Sequence, residues 1–556
     1  MRRLQTTVLS ILLCWVVIAS AEQAPQKAYV STAHPLASAA GISILQQGGN
    51  AIDAAIAVTA ALAVVEPYGS GLGGGGFYLL RRAGKSPDYY FLDARERAPL
   101  TAHADLYRVD GVVEPKLSLN GALAAAIPGI PAALDELTRQ HARLPLTDNL
   151  APAIQLARDG FAIDAVYQER AGWRLTALKQ DPESARLFLD QQQIPEQGWI
   201  LRQPELANTL IMLAEHGGKS FYQGAFAQQL VSTVQDAGGI WSLKDLSDYK
   251  IKWRAPLIVP LADQRQLITA PPPSAGGIAI AQSLLMLQRL PWQQAAPAQR
   301  AHYIAEVFRR AYRDRGLLGD PDFIDNPTEV LLARQHIVQM ADSINVDHAT
   351  PSASLAPGSE LHEGDHTTHF AILDQHGNAV AATLSLNMMF GAAFTVPGTG
   401  VLLNDEMDDF AADLTGSNAY GLTGSAANRI QAGKRPLSSM SPSFLEDPSD
   451  FSAFGTPGGS RIPSMNVLAM LEYLDGKAPA QWVASPRVHH QYLPDVLGFE
   501  PGALTEQQQQ RLQDKGHQLK ELTRNYGNQQ VLWWQKDSGH SAAASDPRGQ
   551  GVSLSP

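Results

Sequence analysis

One stretch in the last third of this 556-residue chain constrains its fold more than any other. Thr368 to Leu373 reads as a strand, Asp374-Gln375-His376-Gly377-Asn378 as a turn with glycine where positive φ is tolerated, and Ala379 to Leu386 as a returning strand. Pairing Asp374 with Asn378 puts Ser385 opposite Thr367, with Asn387 two residues further on the same side of the ribbon. A bulge at Gly377 would shift that register by one residue. The hairpin thus gathers two hydroxyls and an amide around Thr367. Taken alone, the pattern also fits an ordinary surface hairpin that carries Thr and Ser.

The residues leading into the hairpin, Asp365-His366-Thr367-Thr368-His369, suggest more. They read as a point at which a precursor cuts itself and frees a new N-terminal threonine. Such a threonine carries its own base, because its α-amine can take the proton from its own hydroxyl. Two other letter patterns fail on physical grounds. His362-Glu363-Gly364-Asp365-His366 spells a zinc-protease motif, which needs both histidines on one helix face. Gly364 interrupts it, Pro357-Gly358 precede it and a strand follows, so no helix is expected. Gly69-Ser70-Gly71-Leu72-Gly73-Gly74 spells a dinucleotide fingerprint, which must follow a strand and open a helix. This one follows a helical run and opens a strand, Phe77-Tyr78-Leu79-Leu80. Close backbone approach in a buried turn explains its glycines better.

With 45% hydrophobic residues and no linker, repeat or long charge run, the chain reads as globular with ample length for a large core. Arg2-Arg3, the apolar run Val8 to Ile18 and Ala19-Ser20-Ala21 form a secretion signal with a small-x-small cleavage site, so residues 1–21 are expected to be removed. The formal charge of −11 becomes −13 once Arg2 and Arg3 leave, which argues against nucleic acid or an anionic membrane surface as partner. Cys14, the only cysteine, lies in the leader, so the mature chain enters an oxidising compartment without thiols. A bacterial periplasm or secretion is the expected location.

Further along, the pattern predicts a helix from about Ser38 to Gln47, a Gly48-Gly49 stop, and a second helix capped by Asn50 and running to Val65. Apart from Asp53 and Thr59 that helix is apolar on every face and is expected to be buried. Strands are expected at Phe77 to Arg82 and Tyr89 to Asp93. A mostly helical middle from about 145 to 345 follows, including Ala301 to Arg315, with a strand-like Trp253 to Leu261. Beyond Thr367, strands at Gly400 to Leu403, Phe451 to Gly455 and Val531 to Trp534 join helices at Pro463 to Leu474 and Gln507 to Lys515. Strands flanked by helices imply sheets between helical layers.

These residues carry a family resemblance. Gly48 to Ala54, Gly71 to Phe77, Asp93-Ala94-Arg95-Glu96, Leu403 to Phe410, Pro436 to Pro442, Pro457-Gly458-Gly459-Ser460 and Ser545-Asp546-Pro547-Arg548, in this order around Thr-Thr-His, resemble a γ-glutamyltransferase of the N-terminal-nucleophile hydrolases. The resemblance covers nearly the whole mature chain. It implies an α+β fold, a four-layer αββα sandwich made jointly by fragments 22–366 and 367–556 of a self-cleaved precursor. Cleavage would fall between His366 and Thr367, and the fragments would remain together as a heterodimer. The implied activity passes the γ-glutamyl group of a donor, glutathione foremost, through an acyl-enzyme on Thr367 to water or to an amino-acid or peptide amine, without cofactor or metal.

Matched residue by residue, Thr367 is the nucleophile, Gly458 and Gly459 supply the oxyanion-hole amides, and Ser385 stands where the family usually has threonine. Arg95, Ser438 and Ser439 match contacts to the substrate α-carboxylate, for which a guanidinium fork suits. Asn387, Glu406 and Asp409 match contacts to the α-ammonium, and Tyr420 matches a lid. The bland alternatives are a solvated turn at Asp408-Asp409 and a surface ion pair for Arg95 between Asp93 and Glu96. Three other activities compete: a related acylase acting on another side-chain amide, an unprocessed homologue that only binds, and a zinc hydrolase. The intact ammonium set, the intact Thr367 with Gly458-Gly459, and the broken helix around Gly364 speak against each in turn.

Overall fold

The computed structural model describes residues 22–84, 86–355, 367–411 and 425–556. The leader, His366, the zinc-like His362 to His366 stretch and Tyr420 lie outside the described residues. The chain is a mixed α/β protein built on two large antiparallel sheets. In one, hydrogen bonding runs in the order Val552–Leu554, Tyr29–Thr32, Thr367–Leu373, Ala379–Ser385, Gly75–Arg82, Asp88–Asp93, Lys252–Arg254. In the other it runs Ser541–Ser545, Gln530–Gln535, Asp450–Gly455, Ser443–Glu446, Gln266–Thr269, Leu257–Pro260. Both sheets draw strands from before and after residue 367.

Alternation within the strands sorts side chains between two cores. Tyr78, Leu80, Phe370, Ile372, Val380 and Ala382 pack into a cluster with the N-terminal helices. Their neighbours Phe77, Leu79, Ala371, Leu373, Ala379 and Ala381 instead meet Phe444, Phe451 and Leu532 of the other sheet. A third cluster joins Leu267, Leu445, Phe454 and Val531 to helices Gly276–Leu287, Pro297–Asp314 and Ile462–Leu474. No helix among the described residues is long and apolar enough to cross a membrane.

The hairpin register is as the spacing predicts. Thr367 pairs with Ser385 and Leu373 with Ala379, and Asp374 N–H donates to the Asn378 carbonyl at 2.9 Å. The strands run Thr367–Leu373 and Ala379–Ser385; the first begins one residue earlier and the second ends one residue earlier than expected, while the limits at the turn agree. Gly377, at φ +83°, absorbs the turn without a bulge. Helix Ala51–Val65 is buried at every position, and Asn50 and Asp53 cap it reciprocally. The buried Asp53 carboxylate also accepts from Arg143 N–H, Leu144 N–H and Asn149 Nδ2, which meets the requirement that a buried charge be fully hydrogen-bonded.

Several boundaries differ from the pattern. The first helix is Pro35–Gln46, opened by proline at its first turn, and the long middle helix is Pro297–Asp314. The strand-like 253–261 region is two strands, Lys252–Arg254 and Leu257–Pro260, at the edges of different sheets. Pro256, lacking an N–H, sits between them, at the point where the ladder must break. Tyr29–Thr32, Gln266–Thr269 and Ser443–Glu446 are too short to show a periodicity, and only pairing with distant strands makes them strands.

Candidate active site

The site is built where the glycine run meets the hairpin. A Cβ on Gly74 would stand 2.1 Å from the Ser385 carbonyl, and one on Gly73 2.0 Å from that of Leu402. Side chains there would force the backbones apart. The run does follow a helix and open a strand, Gly75–Arg82. Its closeness lets Asn404 bridge, with Nδ2 donating to Gly73 O at 2.7 Å and to Ala126 O at 2.8 Å. Asp405 N–H donates to the Leu386 carbonyl at 3.1 Å, which docks the Glu406–Asp409 turn beside the end of the hairpin.

At that end, the Thr367 Oγ1 is buried and, among the described residues, has no hydrogen-bond partner. A hydroxyl left unpaired in the interior is costly, so its retention calls for an explanation. Ser385, opposite, accepts a hydrogen bond from Asn387 N–H at 2.7 Å. Asn387 sits at φ +74°, in the left-handed region, and donates from Nδ2 to the Asp405 carbonyl at 3.0 Å. Thr368, facing the other way, donates at 2.6 Å to Glu66, a buried carboxyl whose pKa burial raises. Glu66 follows the end of helix Ala51–Val65 and also accepts from Tyr68. No sequence signal marked it.

Arg95 is 1% exposed, so it is no surface pair. Its Nη1 meets Glu406 Oε2 at 2.5 Å, its Nη2 meets Asp409, Nε donates to the Pro436 carbonyl at 3.2 Å, and Glu96 lies at 3.5 Å. Burial works against the guanidinium charge, but Glu406, Asp409 and Glu96 outweigh it and raise its pKa. Arg95, matched to a carboxylate, and Glu406 and Asp409, matched to an ammonium, therefore form one ion cluster. Burial raises Glu406 well above the ordinary range against the pull of Arg95, and raises Glu96 to about 7. Among the described residues, Glu406 Oε1 and Asp409 Oδ1 have no hydrogen-bond partners. Asp408-Asp409 is not a solvated turn, since Asp409 is 8% exposed. Arg315, absent from the motif reading, lies close enough to Asp409 and Arg95 to feel both charges, and its pKa falls to about 10, chiefly through burial.

Ser438 and Ser439 are buried on the segment whose Pro436 and Leu437 carbonyls hold Arg95. Gly458, at φ +136°, and Gly459, at φ +54°, follow strand Asp450–Gly455. A Cβ on Gly455 would fall 2.0 Å from the His369 ring, so the two sheets touch backbone to imidazole just before Gly458 and just after Thr367. Burial lowers the His369 pKa to about 3, leaving a neutral ring whose Nδ1 lies 2.8 Å from Thr383 Oγ1. Thr367 and Gly458 consequently line one cavity.

Among the described residues, His302, Glu306 and His517 are the one group that could offer three metal ligands. Glu306 already pairs with Arg309 and Arg310, and His302 bonds His517 and the Asn345 carbonyl, so two cations and an internal network stand where a metal would be.

Asp408 gives a pH test. Burial raises its pKa from 3.8 to about 7, with Asp409 adding and a hydrogen bond from Ser118 opposing. Between those values the folded state holds a proton that the unfolded state has lost, so this contribution to stability is present at low pH and lost as pH rises through 7. The limit is about 1.4 kcal/mol per pH unit. Asp408→Asn should flatten the fall in thermal midpoint between pH 4 and 7; equal slopes in both proteins would exclude a protonated Asp408.

Comparison with known proteins agrees with this geometry. The γ-glutamyltranspeptidase family model matches residues 37–555. A glutathione hydrolase proenzyme of Pseudomonas aeruginosa is 40% identical over 522 residues, covering 92% of this chain and 91% of its own. That of Escherichia coli is 37% identical over 533 residues, covering 93% and 90%. A cephalosporin acylase structure from Bacillus halodurans superposes with a TM-score of 0.84 at 25% identity over 99% of each chain. The chain belongs to the γ-glutamyltranspeptidase family and is an enzyme of γ-glutamyl transfer and hydrolysis.

Proposed function

We propose that the chain is exported, loses residues 1–21, cleaves itself between His366 and Thr367, and acts in the periplasm or outside the cell as a glutathione-cleaving heterodimer. In processing, Thr367 Oγ1 attacks the His366 carbonyl carbon, the peptide C–N bond breaks, and the freed α-amine takes the proton. Water then hydrolyses the ester to give fragments 22–366 and 367–556. Both sheets interleave strands from the two fragments, and helices cover the faces turned away from each other, which supports a four-layer αββα sandwich formed jointly.

In turnover the α-amine, with an ordinary pKa of about 7.7, accepts the hydroxyl proton near neutral pH. The Thr367 oxygen attacks the γ-carbonyl, the developing oxyanion is met by the Gly458 and Gly459 amides, and the leaving amine departs with a proton. Water or an acceptor amine then cleaves the ester. Ser385 supplies a hydroxyl beside Thr367. Arg95, Ser438 and Ser439 hold the α-carboxylate, and Asn387, Glu406 and Asp409 the α-ammonium.

The unpaired buried oxygens carry this reading. Among the described residues, Thr367 Oγ1, Glu406 Oε1 and Asp409 Oδ1 lack hydrogen-bond partners. An ammonium brings three N–H donors, and a carboxylate brings Arg95 a new acceptor. An acylase that takes a donor without the ammonium would leave those carboxylate oxygens unmet. The curated relatives' name, glutathione hydrolase proenzyme, supports both the donor and the processing. The test is a rapid quench with a γ-glutamyl anilide. Intact mass should show the 367–556 fragment carrying one γ-glutamyl group. An unmodified fragment during steady turnover would exclude the Thr367 ester.

A further inference from the structure

Glu66 lines the same cavity as Thr367. It is 3% exposed, and among the described residues it forms no ion pair. A buried carboxylate is costly unless donors or a counter-charge meet it. Two donors do: Thr368 Oγ1 reaches one oxygen at 2.6 Å and Tyr68 OH the other at 3.2 Å. Burial holds Tyr68 well above the usual phenol range, so it stays a neutral donor. His34 is close enough to feel the charge. Its Nδ1, however, accepts from Leu36 N–H at 3.1 Å, and its Nε2 faces Asp164 at 3.7 Å. Arg170, Arg461, Arg524 and Arg548 also line the cavity, with Glu169, and stay unpaired with Glu66.

Thr368 directly follows the proposed nucleophile. Strand alternation puts it on the face of Phe370 and Ile372, against the N-terminal helices, where Glu66 meets it. Gly69 packs on the same backbone: a Cβ there would lie 3.6 Å from both the Thr367 carbonyl oxygen and Thr368 Cβ. Residues 66–69 therefore cradle the first two residues of the fragment that cleavage would free. Chain geometry puts a carboxylate oxygen bonded to Thr368 within about 10 Å of the Thr367 nitrogen, no more than a Debye length, and buried charges are screened less. In the uncut chain that nitrogen is a neutral amide. Once the bond to His366 is cut it becomes an amine, and its protonated form is the cation that Glu66 lacks. Burial raises the Glu66 pKa, while its two donors and such an ammonium favour the charged form.

We propose that Glu66 is a positioning residue for Thr367: its hydrogen bond with Thr368 fixes the α-amine freed by cleavage, and its negative charge keeps a proton on that amine to higher pH. This rests on the reading of Thr367 as an N-terminal nucleophile. A chain terminus frays unless it is tied down. The tether to Thr368 keeps the amine beside the Oγ1 whose proton it must take. The charge makes the amine a stronger base, offsetting the four guanidiniums of the cavity, which favour its neutral form.

The test uses the processed enzyme and a γ-glutamyl anilide, with kcat/KM followed from about pH 5 to pH 9. Rates are expressed per 367–556 fragment that a rapid quench shows to carry a γ-glutamyl group, so unfolded protein does not count. Glu66→Gln still accepts from Thr368 but has no charge. It should move the acid limb to lower pH by at least about half a unit, which a loss of folded protein cannot do. Thr368→Ala cuts the tether and should lower kcat at least about tenfold with KM unchanged, and Thr368→Ser should recover most of that loss. An acid limb at the wild-type pH in Glu66→Gln, or a wild-type kcat in Thr368→Ala, overturns the proposal while leaving Thr367 as nucleophile. If Thr368→Ala stays uncut, the limb of Glu66→Gln decides alone. A wild-type fragment that never carries the γ-glutamyl group overturns the Thr367 reading and this proposal together.

Discussion

Thr367→Ala should leave the chain whole and inactive. Intact mass and N-terminal sequencing of purified wild type should give two fragments, the smaller beginning at Thr367, while the variant should give one. Activity on a γ-glutamyl anilide should fall by about 10⁴–10⁶-fold, the range seen when a unit of nucleophile and base is broken. Stability should barely change, because the lost Oγ1 has no hydrogen-bond partner. Removing an unpaired buried hydroxyl offsets much of the roughly 1 kcal/mol that a buried methyl contributes. Thr367→Ser, which keeps the hydroxyl, should still be cut. A wild-type chain that stays whole after long incubation at neutral pH would sink the self-processing scheme. A Thr367→Ala chain that is cut at the same bond would take the nucleophile away from Thr367.

Arg95→Ala should have the largest effect on stability of any single change in the site. The guanidinium is the shared counter-charge of Glu406 and Asp409 and lies 3.5 Å from Glu96, with all four residues buried. Breaking a buried pair from one side leaves an uncompensated charge and costs about 3–5 kcal/mol. The variant would leave Glu96, Glu406 and Asp409 without the guanidinium they share, so the already raised pKa values of Glu96 and Glu406 would climb further. Folded-state pKa values above the unfolded ones confer stability at low pH that is lost as pH rises, so the deficit should be smaller at pH 5 than at pH 8. Arg95→Lys keeps a point charge but cannot fork to both acids, and should fall between. Thermal midpoints of the processed proteins at both pH values decide this, with the donor KM expected to rise in parallel. An alanine variant as stable as wild type at pH 8 would mean that the cluster carries no net charge debt.

What could be read from the chain followed short-range rules. The period of two and the Asp374 to Asn378 turn are enough to align Thr367 with Ser385. Asn50 with Asp53 starts a helix that is apolar all round and therefore buried. The order of helix, glycines and strand excluded a nucleotide loop, and the glycines at 73 and 74 do serve close backbone approach. Motif order carried the family.

Other features depend on contacts that no local pattern encodes. Arg95 and Glu406 are 311 residues apart in the chain, so their bond is written in neither motif. Glu66 and Arg315 gain their importance only by standing beside Thr368 and Asp409. Sequence by itself determined the capped, buried helix and the hairpin with its register, because backbone geometry and hydrogen bonding act over a few residues. Tertiary structure alone decided which charges meet and which oxygens go unpaired, because burial and Coulomb interaction depend on distance in space and are blind to distance along the chain.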